Sequence, residues 1–402
     1  MFKIYKSLSP YINCDNMPVG NEVGKFLFAI GEQKEGFSFG KPWRNSDNAM
    51  GLVIPIIRDK KVKRNYEMLE ETDKLEFVDS GNIDTAIVKN NGKTNIFIRS
   101  GVILAGDTQE RAVVSGSVAV PNMEQDISVK CVHASKGINP GTKMEYSGKE
   151  VPPSVYLALK EEDQSKVWNS VMNYSQSKGI NGRRRRNPRM AFSGASSGRI
   201  YGARIGSVRT ESLSDSDDLL STMKEVDQKR KTVESALKDI PVVKNQVGAI
   251  IFDNFGITGF EVFDSPDSWK ALHKKVLEKY SDVLMQEQEE SLFELKEDVI
   301  PKKIAEFVEE MMKADERNTF SNQTANTYVL DGNKIIGEYT LIEGNVVHVI
   351  VFKRKEPKNK DSDSKTRKLS QVRSDLEKEF DNIDRQHRVV GVRNIGRIGP
   401  CF

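Results

Sequence analysis

The chain has 402 residues, of which 37% are hydrophobic and 30% charged, and its formal net charge is +3. These proportions describe a soluble globular protein with some unstructured segments, long enough for two or three domains of about 150 residues. No stretch approaches the roughly 20 consecutive apolar residues of a membrane span, and the opening residues hold no leader-like apolar run. Three cysteines, Cys14, Cys131 and Cys401, lie far apart. That spacing argues against a disulfide framework and against a zinc site, so a reducing, cytoplasmic compartment is expected, with no metal or other cofactor.

Residues 1–45 read as an N-terminal segment with one apolar run, Val23–Ile30. A β-rich block follows, opening with the buried strand Gly51–Ile57 and its internal Pro55. Tyr66–Glu71 has helical character. Thr85–Val88 and Ile96–Ile98 flank Asn90-Asn91-Gly92, which predicts a hairpin. Ile103-Leu104, Ala112–Val120 and Ile127–Val132 continue the strands. Ser154–Ser175 reads as one helix with Trp168 on its apolar face, and Leu219–Leu237 as a charged helix. Val247–Phe252 and Ile257–Phe263 predict a second hairpin. Asp264-Ser265-Pro266 then opens a helix, with a capping residue ahead of Pro in the first turn. Trp269, Leu272, Val276, Tyr280, Val283 and Leu284 keep its 3.6-residue period. A second amphipathic helix carries Ile304, Phe307, Val308 and Met311. Tyr328–Leu330, Ile335–Leu341 and Val346–Phe352 form a meander, turning at Asp331-Gly332-Asn333 and Glu343-Gly344-Asn345. Beyond Phe352 the chain is polar and charged, with a helical pattern at Leu369–Phe380.

The expected fold is α+β: antiparallel-rich sheets packed with two or three helices in one interlocked body, residues 46–352. An Arg/Gly-rich insert, 176–212, interrupts this body, and a basic extension, 353–402, follows it.

Several pieces in order resemble the ADP-ribosylglycohydrolase-and-rhodanese-phosphatase-associated protein domain. Gly51–Ile56 is similar to its opening strand, and Leu104–Arg111 to its Leu-x-Gly-x-x-Gln-x-Arg segment. Cys131-Val132 stands where a Ser-Cys-Val-Glu segment is usual, and Gln164–Val171 resembles its Gln-x-x-Val-Trp helix. Val247–Tyr280 and Glu343–Phe352 resemble its later hairpin, helix and last strand pair. The resemblance covers roughly residues 50–353. This chain departs from the pattern at Val102 and Ile103, where acidic residues are common. It departs again at His133, in place of Glu, and at Gly137, in place of Trp. The resemblance implies a link to ADP-ribose and nicotinamide-nucleotide metabolism through the family's name and attaches no reaction to it.

Three groups of residues carry candidate chemistry. Gln109 and Arg111, two apart on a strand, share a face. Arg111 can fork onto a phosphate or carboxylate and Gln109 can bond a ribose or amide, with Asp107 beside them; a nucleotide-type ligand is the matching partner. The bland alternative is an Arg that closes a loop onto the body's own carboxylates. Cys131 and His133 are also two apart; a thiol activated by imidazole is one reading and an inert core Cys the other. His348 alternates with Val347 and Val349 and is expected to face away from both. Gly194-Ala195-Ser196-Ser197-Gly198 matches a nucleophile elbow in letters, but Arg and Gly surround it instead of a strand and a helix.

Charge segregation is the strongest signal. From Gln164 to Thr210 there are ten Lys or Arg and no acidic residue, and from Lys353 to Phe402 fourteen against eight. The rest of the chain therefore carries a net −13 within a total of +3. Arg183, Arg184, Arg185, Arg186, Arg189, Arg199, Arg204 and Arg209 are interleaved with glycines, Phe192 and Tyr201, and Arg393 and Arg397 repeat the theme in the tail. Arg binds phosphate and stacks on bases, while Gly lets the chain follow a backbone. The expectation is a binding or assembly protein without catalysis. Its basic arms would engage RNA, another polyanion, or acidic surfaces of neighbouring subunits. A homo-oligomer held by other means, and an enzyme or sensor for an ADP-ribose-like nucleotide, are the alternatives.

Overall fold

The computed structural model describes residues 19–44, 51–60, 62–107, 109–179, 218–229, 240, 242–253, 256–285 and 299–354. The arginines at 183–186, 189, 199, 204, 209, 393 and 397, the Gly194–Gly198 motif and the 369–380 pattern lie outside them.

The architecture is α+β. One sheet has eight strands in the order β1 (Phe37–Phe39), β2 (Leu52–Arg58), β12 (Gln246–Asp253), β13 (Gly256–Phe263), β17 (Asn345–Lys353), β16 (Ile335–Ile342), β15 (Ala325–Asp331) and β14 (Asp315–Ser321). Six strands close a barrel in the order β10 (Glu124–Cys131), β5 (Thr85–Asn90), β4 (Leu75–Asp79), β11 (Lys143–Glu150), β7 (Val102–Gly106) and β8 (Arg111–Val113). A small sheet holds β3 (Tyr66–Met68), β6 (Asn95–Ile98) and β9 (Ser117–Ala119). Every ladder is antiparallel except β3 on β6. Among the described residues the helices number seven, more than the two or three expected. They are α1 (Asn21–Gly31), α2 (Pro153–Lys160), α3 (Gln164–Ser177), α4 (Leu219–Lys229), α5 (Pro266–Lys279), α6 (Ser281–Leu284) and α7 (Ile300–Met312).

Strand alternation sorts the apolar residues into three cores. Ile54, Ile250, Phe260, Val349 and Val351 face α1 and α7 on one side of the large sheet. Ala249, Ile251, Phe263, Ile350 and Phe352 face α2–α5 and the outside of the barrel on the other. Phe77, Val88, Leu104, Val113, Ile127 and Met144 fill the barrel, where Val102 and Leu104 point inward and Ile103 outward. Burial on this scale is worth about 25 cal/mol per Å² of apolar surface, which makes these cores the main stabilising term. α1 and β1 come from residues ahead of position 46 and join the same core.

Local signals decide the helix starts and several turns. Ser265 caps α5 by accepting from Asp267 N, with Pro266 in the first turn. At Glu343-Gly344 both φ angles are positive, 49° and 77°, the two-residue turn that suits the twist of β16 and β17. The β12–β13 hairpin forms as the pattern predicts.

Five expectations change. β5 and β6 do not pair; β5 lies between β4 and β10, and β6 between β3 and β9. Neither Asn91 nor Gly92 takes the positive φ a tight hairpin turn needs. Asn90 instead accepts from Gly92 N and donates to Thr94 O and Ala119 O, steering the chain out of the barrel into the small sheet. Ala112–Val120 is two short strands in different sheets, broken at Val114-Ser115-Gly116. Tyr66–Glu71 is a strand followed by a single 3₁₀ turn. Ser154–Ser175 is two helices, because Glu162 takes φ 58° and Asp163 recaps the chain by accepting from Ser165 N. Val167 and Val171 then take the buried face of α3 and leave Trp168 half-buried, whereas Trp269 is buried as expected.

Candidate functional site

Two groups of ionisable side chains stand out, both assembled from distant parts of the chain. The first lies where the sequence pointed, around residues 107–111 and 131–133, but the residues that meet there are different ones. Arg111 is fully buried and turns into the end of the barrel. Its guanidinium donates to Asp79 Oδ1 at 2.7 Å and to the carbonyls of Asn82 and Thr85. Gln109 donates to Lys136 O at 2.7 Å, and Asp107 is exposed at the end of β7. The three therefore address different partners instead of one pocket. Cys131 is a buried thiol whose Sγ donates to His133 O, and burial pushes its pKa up. The His133 ring turns the other way, with Nε2 3.0 Å from Ser135 Oγ, so it does not activate the thiol.

Glu110 lies between Gln109 and Arg111 and faces the opposite side. Its Oε1 is 3.7 Å from His133 Nδ1, which is 3.6 Å from Asp218 Oδ2. Asp218 arrives just beyond the Arg/Gly segment, where His133 and Asp218 form a backbone bridge and Leu219 N donates to Val132 O. Its Oδ1 accepts from Ser221 N and so caps α4. All three side chains are buried, at 6%, 4% and 7% exposure. Burial and the neighbouring Glu110 push the Asp218 carboxyl up to about 6. Burial works the same way on Glu110, but His133, Asp218 and Lys136 outweigh it and hold that carboxyl at about 2. His133 is lowered by burial, then raised by both carboxylates to a net position above its ordinary value. One imidazole nitrogen and two carboxylates in this arrangement can share a proton or hold a cation.

The second group is larger. Arg99, 1% exposed, binds Glu70 at 2.7 Å, Glu150 through a short contact, and Glu261 at 3.4 Å. Lys279 bridges Glu150 and Glu261 at 2.9 and 2.7 Å, and His348 Nε2 lies 3.1 Å from Glu261 Oε1. Burial opposes charge on Glu261, but Lys279, His348 and Arg99 outweigh it and hold the carboxyl well below its usual range. Burial pushes His348 down, so its neutral ring donates Nε2–H to Glu261. His348 does not face away from Val347 as alternation predicts. β17 bulges at Val347, between the pairs Thr340↔His348 and Leu341↔Val346, and both residues face the same core. Glu150 and Lys279 also line a small, open surface cleft, with Lys149, Lys275, Tyr174 and Asp227 at its walls.

His133 and His348 are singled out from sequence, but Glu110, Asp218, Arg99, Glu70, Glu150, Glu261 and Lys279 are not. Glu261 did carry a signal, as the one charged residue in the apolar run Phe260-Glu261-Val262-Phe263. Asp218 carried none, since the Arg/Gly segment separates it from everything it meets.

The class of protein so defined is an α+β body with a small closed barrel, a buried ion network where three sheets meet, and a carboxylate–imidazole cluster beside the barrel. The chain belongs to the ARG and Rhodanese-Phosphatase-superfamily-associated Protein domain family, whose model matches residues 38–352. No curated protein and no solved structure matches it. No helix among the described residues is long and apolar enough to cross a membrane.

Proposed function

We propose that the protein binds a polyanion, RNA foremost, through its two basic segments, and that the α+β body serves as their carrier. The observation that supports this reading is the charge distribution: a body left with a net −13 alongside a run of ten basic and no acidic residues. Two of those ten are described. Lys166 pairs with Glu161 at 2.7 Å, and Lys178 pairs with Asp282, so the body neutralises them itself. The eight arginines from Arg183 to Arg209 remain. Like charges so close repel one another, and ordering the segment costs about 1–2 kcal/mol per residue in backbone entropy. A polyphosphate offsets both, through bidentate contacts and stacking. The nucleotide reading at Gln109 and Arg111 gains no support, because Arg111 is spent on Asp79 and two carbonyls.

The test compares wild type with Arg183–Arg186→Ser by absorbance ratio after purification, anisotropy of labelled single-stranded RNA across salt, and mass by light scattering. Binding by all eight arginines gives a slope of log K against log salt of about −5 to −6, and the variant roughly half of it. Loss of mass with RNA binding unchanged would replace this reading with assembly through acidic surfaces of neighbouring copies. No change in either would end both.

A further inference from the structure

We propose that Glu110, His133 and Asp218 form a binding site for a divalent transition-metal ion of the zinc class. The inference is independent of polyanion binding. One donor atom from each of the three lies within 4.8 Å of the other two. The separations of His133 Nδ1 from the carboxylate oxygens, 3.7 and 3.6 Å, are too long for hydrogen bonds. They are close to the roughly 3.3–3.6 Å between two ligands placed 2.0–2.2 Å from a tetrahedral ion. The cluster is thus held open by about the width of a small cation.

Two buried atoms at the cluster have no hydrogen-bond partner: His133 Nδ1 and Glu110 Oε2. An orphaned polar atom in a well-packed region is costly, and an ion held by His133 Nδ1 and the Glu110 carboxylate would relieve that cost. The surroundings orient the ligands as metal sites require. Ser135 Oγ, 3.0 Å from His133 Nε2, can accept a hydrogen bond from Nε2–H, the tautomer that leaves the Nδ1 lone pair free for an ion. Ser221 N holds Asp218 Oδ1 and leaves Oδ2 toward His133. Imidazole with two carboxylates suits zinc, manganese or iron better than magnesium, which prefers oxygen alone. Three protein ligands leave a fourth position open. One contact competes: Lys136 Nζ is 3.4 Å from Glu110 Oε1, on a side chain 37% exposed that can swing into solvent.

The test uses full-length, tag-free protein stripped with chelator and titrated with Zn²⁺ against a chromophoric competitor, then with Co²⁺ by visible absorption. Wild type should bind one equivalent of Zn²⁺, and Co²⁺ should give ligand-field bands of a low-coordinate site. Asp218→Asn, which keeps the oxygen that caps α4, and Glu110→Gln should each weaken binding at least about tenfold. Ser135→Ala should cost about 10-fold through the ring orientation. Lys136→Met should strengthen binding several-fold. His273→Ala, at a half-buried imidazole on α5, and Cys131→Ser should change nothing. Circular dichroism confirms that each variant is folded. The proposal is overturned if wild type takes up no Zn²⁺ at micromolar concentration. It is equally overturned if Asp218→Asn and Glu110→Gln, both folded, bind as wild type does, or if His273→Ala or Cys131→Ser removes the site.

Discussion

Lys160→Met should destabilise the protein by about 3–5 kcal/mol at neutral pH, although methionine matches the lysine stem in volume. Lys160 ends α2 with its ammonium fully buried, 2.5 Å from Glu338 Oε2 on β16 and in contact with Val114 O between β8 and β9. Glu338 Oε1 accepts from Gly116 N at 3.1 Å. The pair therefore pins one helix, the link between the barrel and the small sheet, and the middle of the large sheet. Both side chains are 0% exposed, so removing one partner leaves the other with its whole desolvation penalty. At about 2 °C per kcal/mol for a chain of this size, Tm falls by roughly 6–10 °C. Adding Glu338→Gln removes the orphaned charge, keeps an oxygen for Gly116 N, and should restore about 2 kcal/mol or more. Urea unfolding followed by tryptophan fluorescence and circular dichroism, with coincident transitions, measures all three proteins. A single variant that costs under about 1 kcal/mol, or a double variant no better than the single, would refute the reasoning.

Arg99→Lys should cost at least about 2 kcal/mol in urea unfolding, because an ammonium cannot reach the Glu70, Glu150 and Glu261 positions that the guanidinium fork spans. Asp264, buried and accepting from Tyr66 Oη at 2.7 Å, has its carboxyl pushed up to about 6, first by burial. Ionising it in the folded state is thus unfavourable, so Asp264→Asn should stabilise by about 1–3 kcal/mol at pH 7, a gain that fades as pH falls toward 4 and that a pH series of melts will show. Gly259→Ala should unfold the seat of α5, since the new methyl would lie 2.3–2.5 Å from the Tyr280 ring, and expression with thermal melting will detect the loss of about 3 kcal/mol or more. Ser265→Ala removes the cap on α5 and should lower stability by about 1 kcal/mol.

Most strands and the start of α5 were legible because they depend on neighbours in sequence. Short apolar runs mark β2, β12 and β13, which are buried on both faces, and Ser265-Pro266 and Glu343-Gly344 mark chain reversals through their own dihedral preferences. Closure of the barrel was not legible, because nothing at Asn90-Asn91-Gly92 reveals that Asn90 will bond to Ala119 O. The site was legible to the segment and missed by one residue. Side-chain parity in an irregular stretch depends on which carbonyl the chain meets, and Val132 N meets Glu110 O just before β8 begins. The same one-residue shift governs His348, where a bulge overrides alternation.

The meeting of Arg99 with Glu150 and Glu261 also bears on how this protein can be taken apart. Glu150 belongs to the barrel, Arg99 follows the small sheet, and Glu261 and Lys279 come from the later half of the chain. A fragment ending after α3 would keep Arg99, Glu70 and Glu150 but lose Lys279, exposing an apolar barrel flank and an incomplete set of charges. Neither half is a portable module, so truncation mapping will report loss of solubility wherever the boundary falls between residues 99 and 348. Functional dissection of this family member calls for point substitutions within an intact chain.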